Sequence, residues 1–130
     1  MNYTILVTGP PYGTQNSTSA FLFSNAVIVS QHTLNHVFFY CDGVLNASKF
    51  VYPSVDECNL VNKWEALYKK HSVKLRVCIS AALRRGIIDE VSNLKGKKNI
   101  NQGNVKSSFI LVGLSEFSEY LEISDRIIQF

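Results

Sequence analysis

Four short β-rich segments separated by helical periodicity constrain this chain most. Tyr3–Thr8 is apolar and β-branched and stops at Gly9-Pro10-Pro11, which predicts a strand followed by a turn. Val37-Phe38-Phe39-Tyr40 is a continuous apolar run that stops at Asp42-Gly43, as expected of a strand covered on both faces. Val73–Cys78 and Asp125–Phe130 are read as further strands. Between them, Ser17–Ser30 carries Ala20, Phe23, Ala26, Val27 and Ser30 at helical spacing. Pro53-Ser54-Val55-Asp56-Glu57 is expected to open the clearest helix, because Ser54 and Glu57 have capping-box spacing.

The apolar stripe of that helix is Leu60, Val61, Trp64, Leu67 and Tyr68, and Lys69 and Lys70 complement its C-terminal dipole. Ser80–Arg85 is expected to form a short helix ending at Gly86, and Leu114, Phe117 and Leu121 mark a last one. Asn93–Ser107 is polar and reads as an exposed loop. Alternating strands and helices predict an α/β fold. It is one domain over residues 1–130, with a mainly parallel sheet of about five strands and helices on both faces.

Composition narrows the function classes. A chain of 130 residues with 46% hydrophobic content can fill one core, and 18% charged residues is too few for a disordered tail protein. No apolar run is long enough to span a membrane. The start has no basic n-region, so no signal peptide is expected and the cytoplasm is the default compartment. A net charge of +3 does not by itself indicate nucleic acid as a partner. Three widely spaced cysteines without a CxxC pair fit free thiols in a reducing compartment, and neither a zinc ribbon nor a dithiol.

In a parallel sheet, reactive groups gather beyond the C-terminal strand ends. Three predicted loops meet there: Gly9–Gln15, Cys41–Asn46 and Cys78–Ala82. Cys78 ends a strand and precedes a small-residue turn and then Arg84-Arg85. Nearby arginine and a helix N-terminus both favour the thiolate, so Cys78 is the candidate nucleophile or sulfur carrier. The competing reading is a packed residue ending a core strand, the weightier one from the neighbouring residues alone. Arg84 and Arg85 are candidates to support the sulfur, against the commoner fate of a solvated helix face. Cys41 is the rival thiol, but Asp42 beside it disfavours the thiolate. Cys58, expected in the first turn of the best helix, reads as a packing residue.

Gly9-Pro10-Pro11-Tyr12-Gly13-Thr14 lacks the Lys-Ser/Thr of a P-loop, and its prolines remove the donors such a loop needs. It reads as a rigid strand-to-helix turn, with Tyr12 helping to shape the site. His32, His36 and His71 have no metal-ligand spacing and read as surface or edge residues. Lys95, Lys97, Lys98 and Lys106 form a diffuse basic stretch without aromatics for base stacking. No GxSxG elbow is present.

The chain closely resembles the DsrE/TusD family of sulfurtransferase subunits along essentially its whole length. The resemblance rests on Val7–Gln15, on Phe38-Phe39-Tyr40 with Gly43-Val44 and Asn46-Ala47, and on Cys78 with Ala81–Gly86 and Asp89-Glu90. Gly113-Leu114, Asp125-Arg126 and Gln129-Phe130 extend it to the C-terminus. It implies a DsrE-like fold and a sulfur-relay role with Cys78 as the persulfide-forming cysteine, and it requires no cofactor and no metal. It further implies assembly with TusB-like and TusC-like subunits as a dimer of heterotrimers. A TusA-like protein would donate the sulfur, a TusE-like protein would accept it, and 2-thiouridine at the tRNA wobble position would be its end point. No direct tRNA contact and no membrane contact are expected. The same family contains scaffold-like subunits, so a non-catalytic subunit with a structural cysteine is the alternative. A subunit of such an obligate complex should expose apolar surface when isolated.

Overall fold

The computed structural model describes residues 1–89 and 103–130. Five strands are ordered β4-β3-β2-β1-β5 in one sheet. They are β1 (Asn2–Val7), β2 (Thr33–Phe39), β3 (Lys74–Cys78), β4 (Phe109–Val112) and β5 (Arg126–Gln129). Every pairing between them is parallel. The helices are α1 (Asn16–Val29), α2 (Leu60–His71), α3 (Ile79–Arg84) and α4 (Leu114–Ile123), and a 3-10 helix spans Cys41–Ala47. No helix among the described residues is long and apolar enough to cross a membrane.

The strand order dictates which face each helix covers. From β1 to β4 the chain steps in one direction, and β5 then returns to the far side of β1. Right-handed crossovers therefore put α1 and α2 on one face and α4 on the other. The ring contacts agree. Trp64 of α2 meets Phe39 edge-on at 5.2 Å and Phe21 of α1 at 5.3 Å. On the opposite face, Phe117 of α4 stacks on Phe38 at 4.5 Å and Tyr120 stacks on His36 at 3.8 Å. Helices thus cover both faces of a parallel sheet, as the alternating pattern predicts. The face under α4 is covered more thinly, leaving Ile110, Leu114, Leu121 and Ile127 exposed.

Three local expectations need correction. Only the Glu57 half of the capping box forms, with Ser54 N–H donating to Glu57 Oε2 at 3.0 Å, while Glu57 N–H donates to the Ser54 backbone carbonyl at 3.0 Å rather than to its side chain. They close a turn, however, and α2 begins only at Leu60, where Asn59 accepts from Asn62 N–H at 3.0 Å. The strand β4 was hidden between the polar loop and the last helix. Its four residues, Phe-Ile-Leu-Val, are too few to show a period.

His36 is the third correction: it is a core residue, 3% exposed, and not a surface or edge one. Its Nδ1 finds no hydrogen-bond partner among the described residues. Burial, with Lys74 and Arg76 nearby, lowers its pKa from 6.5 to about 4.

Of the basic stretch, Lys95, Lys97 and Lys98 lie outside the described residues. Lys106 is committed to α2, donating to Asn62 Oδ1 at 2.6 Å and Glu65 Oε2 at 3.2 Å. Burial opposes the charge of Glu65, but hydrogen bonds from Lys69 and Lys106 outweigh it and hold the carboxyl below its ordinary value.

The neutral His36 makes a pH prediction. Because its folded pKa is depressed, its contribution is complete above pH 6.5 and is lost as pH falls toward about 4. The loss is up to about 3 kcal/mol. His36→Phe preserves the stack on Tyr120 and removes the titration. Urea unfolding at about pH 7 and about pH 4.5 should show a flatter acid limb for the variant. Equal slopes for the two proteins would reject this account.

Candidate active site

Cys78 closes β3 opposite Val112, the last residue of β4. Beyond this pair the chain diverges. β3 runs directly into α3, and β4 runs through Gly113 into α4 on the other face. Neighbouring strands whose connections part in this way form a topological switch point, the usual location of a site in an open α/β sheet. Two helices thus begin one and two residues beyond the Cys78/Val112 pair. Cys78 occupies the N-cap position of α3 with extended backbone, φ −62° and ψ 116°, and its side chain takes no capping hydrogen bond. The positive ends of helix dipoles favour an anion at such a position.

The three thiols divide sharply by exposure. Cys78 is 1% exposed and belongs to the apolar core, whereas Cys41 and Cys58 are exposed. The 3-10 segment Cys41–Ala47 and α3 are packed at the end of β3. The thiol that the resemblance selects is therefore at the expected rim, but under cover in the isolated chain.

The 3-10 segment itself is rigidly held. Gly43 N–H donates to the carbonyls of Thr8 at 3.0 Å and Tyr40 at 2.8 Å. A Cβ on Gly43 would run into the Val7 carbonyl oxygen, so the close approach needs glycine. Asn46 is fully buried. It accepts from Ser17 Oγ at 2.7 Å and Trp64 Nε1 at 3.2 Å, and donates to the carbonyls of Gly9 at 3.2 Å and Gly43 at 2.8 Å. Cys41 itself has φ +49°, the left-handed region that costs an ordinary residue about 1–2 kcal/mol. Sequence reading placed Gly43 in a turn and Asn46 at the end of a rim loop, and assigned neither a bonding role. Their joint role follows from the three-dimensional meeting of the loops.

The supporting residues lie as follows. Arg84 is exposed. Arg85 is turned to Asp42, with Nε 2.8 Å from Oδ1, and its Nη1 donates to the Ala81 carbonyl at 3.1 Å. Asp42, read from sequence as a turn residue and a neighbour of Cys41, is thus the partner of Arg85.

Tyr12 is grouped with Cys58. Its hydroxyl donates to the Cys58 carbonyl at 2.6 Å and accepts from Leu60 N–H at 3.3 Å. Together they line an open cleft of about 300 Å³ with Pro11, Thr14, Thr18 and Glu57. Cys58 precedes the N-cap Asn59, so it lies ahead of α2 and not in its first turn. Among the described residues, no three His, Cys, Asp or Glu side chains gather as a metal-binding group.

Comparison with known proteins extends this picture. The model of the DsrE/DsrF-like family matches residues 1–130. A relative named Sulfurtransferase TusD from Buchnera aphidicola subsp. Baizongia pistaciae (strain Bp) is 68% identical over 130 residues, which is 100% of both chains. One of the same name from Buchnera aphidicola subsp. Acyrthosiphon pisum (strain 5A) is 57% identical, again over 100% of both. Among solved structures, the ychN protein from E. coli matches with a TM-score of 0.76 at 18% identity, covering 100% of both chains. That last likeness is one of fold.

The exposure pattern makes a direct prediction. Under native conditions a thiol reagent should modify Cys41 and Cys58 quickly and Cys78 slowly, as followed by peptide mass mapping over time. Cys78 reacting as fast as the other two would contradict the packing described.

Proposed function

This chain belongs to the DsrE/DsrF-like family, and on that premise we propose that it is a TusD-type sulfurtransferase whose Cys78 carries sulfur as a persulfide. The observation that carries the reading is the position of Cys78 at the switch point of the sheet, ahead of an uncapped helix start. Its support from outside the fold is full-length identity of 68% to a protein named Sulfurtransferase TusD.

The chemistry is two sulfur exchanges. The Cys78 thiolate attacks the terminal sulfur of a donor persulfide, R–S–SH. A new S–S bond forms at Cys78, the donor's S–S bond breaks, and the donor leaves as R–S⁻. An acceptor thiolate then attacks the terminal sulfur of Cys78–S–SH, taking it as R′–S–SH and restoring the Cys78 thiolate. Each step exchanges one thiolate for another, so no oxidant or reductant is consumed. Rates follow thiolate fraction, nucleophilicity and leaving-group pKa. One cysteine per chain is enough, because the second thiol of each step belongs to another protein.

The finer reading is a relay in the cytoplasm. The chain acts over residues 1–130 as one domain, beside TusB-like and TusC-like subunits in a dimer of heterotrimers. It takes sulfur from a TusA-like donor and hands it to a TusE-like acceptor, toward 2-thiouridine in tRNA. The thinly covered α4 face supports assembly. A parallel sheet is normally covered on both faces, and Ile110, Leu114, Leu121 and Ile127 remain exposed there.

One observation favours a second reading. Cys78 is 1% exposed, as a structural cysteine in a scaffold subunit would be. The two readings separate in one assay. Loading with a radiolabelled sulfur donor should label the parent protein, should fall to background in Cys78→Ser, and should persist in Cys41→Ser and Cys58→Ser. Undiminished label on Cys78→Ser would refute the carrier role of Cys78.

A further inference from the structure

We propose that Tyr40 is a further catalytic residue, whose hydroxyl donates a hydrogen bond to the sulfur carried on Cys78; the proposal rests on the assignment of Cys78 above. The two residues are neighbours across the sheet. Phe39 pairs with Val77 in the parallel register of β2 and β3, so the next pair is Tyr40 with Cys78. Tyr40 keeps strand conformation, φ −134° and ψ 164°, and its N–H continues the β1 ladder by donating to the Val7 carbonyl at 2.9 Å. Paired strands lie about 4.8 Å apart.

Side-chain alternation sets both residues on one face. Phe39 meets Trp64 of α2, whereas Phe38 stacks on Phe117 of α4. Tyr40, two residues beyond Phe38, therefore shares the α4 face. Val77 shares the face of its partner Phe39, so Cys78 falls on the α4 face as well. On its other side Cys78 pairs with Val112. Of the two residues that flank Cys78 in the sheet, Tyr40 is thus the one whose side chain can donate a hydrogen bond. That donor is uncommitted: the ring is partly buried against the core, and the hydroxyl makes no hydrogen bond to the described residues.

The chemistry needs such a donor. Cys78 is 1% exposed and belongs to the apolar core, where an anion without a hydrogen bond is costly. Of the two arginines that the sequence suggests as supports, Arg85 is bound to Asp42 and Arg84 is exposed. Length also matters. A phenol oxygen stands farther from its strand than a cysteine Sγ does, and the transferred sulfur lies about 2.05 Å beyond Sγ. The outer sulfur is therefore the atom within reach. Cys78–S⁻ attacks R–S–SH, giving Cys78–S–SH and R–S⁻. The outer sulfur then loses its proton to water, and Tyr40 O–H donates to Cys78–S–S⁻ without giving up its own proton. The sulfur regains a proton from water as the acceptor removes it as R′–S–SH. Tyr40 is neither oxidised nor reduced.

The test uses the full chain with Cys41→Ser and Cys58→Ser, so that Cys78 is the one remaining thiol. It is loaded with glutathione persulfide, with and without Tyr40→Phe, which keeps the ring and removes the donor. Alkylation by iodoacetamide is followed by mass over a range of pH for loaded and unloaded protein. Tyr40→Phe should move the midpoint of the loaded profile up by about one pH unit, and lower the loaded fraction about tenfold at limiting donor. That is the scale of one hydrogen bond to a charged group. The unloaded profile should not move, because the outer sulfur is absent from it.

A loaded profile that stays in place overturns the role of Tyr40. So does equal movement of both profiles, which marks a changed setting for Cys78 and no bond to the outer sulfur. If the parent takes up no sulfur on Cys78, the carrier reading fails and the role of Tyr40 fails with it. If the parent loads and Tyr40→Phe leaves the profile in place, the role of Tyr40 fails alone.

Discussion

The buried carboxamide of Asn46 is the interaction on which the rest of the site depends. It satisfies two donors, Ser17 Oγ and Trp64 Nε1, and two carbonyls, those of Gly9 and Gly43. One side chain thereby ties α1, α2, the turn after β1 and the segment after β2 into one block. In a fully buried setting each of these groups would cost about 1–3 kcal/mol if left unpaired. The arrangement therefore favours a single geometry for the loops at the C-terminal edge.

Topology then supplies the chemistry. Four connections in one direction around a parallel sheet would leave no crevice. The return of the chain from β4 to β5 through α4 creates one, and Cys78 closes the strand beside it. Among the described residues, the same return leaves a single helix on one face. Its contacts, Phe117 on Phe38 and Tyr120 on His36, cover the middle of that face and leave Ile110 and Ile127 on the outer strands exposed. The crevice beside Cys78 and an incompletely covered face are thus two results of one chain path. Both suit a protein that works against others.

Much of this was legible in the sequence, for physical reasons. Long apolar runs such as Val37–Tyr40 and the stripe from Leu60 to Leu67 report burial directly, so β1, β2, β3, β5 and the body of α2 were recognisable, and the four-residue β4 was not. The start of α2 was not. Glu57 makes the same bond to the Ser54 N–H in a free turn as at a helix start, and the side chain that caps α2 is that of Asn59. The placement of Cys78 at a strand end followed from the run before it. Its depth did not, because burial of a terminal residue depends on what neighbouring loops pack over it. Likewise Asp42 looked like a neighbour of Cys41, when its charge is directed to Arg85, 43 positions away. His36 looked like an edge residue because a single polar side chain in a strand does not declare which helix will cover it.

The measurement that bears most directly on the central claim is a mass map of the untreated, full-length protein after incubation with a persulfide donor protein and trapping of persulfides by alkylation. The account predicts one added sulfur atom on the peptide containing Cys78, removed again by an acceptor thiol, and none on those containing Cys41 or Cys58. Added sulfur on either of the exposed cysteines, with Cys78 unchanged, would contradict it.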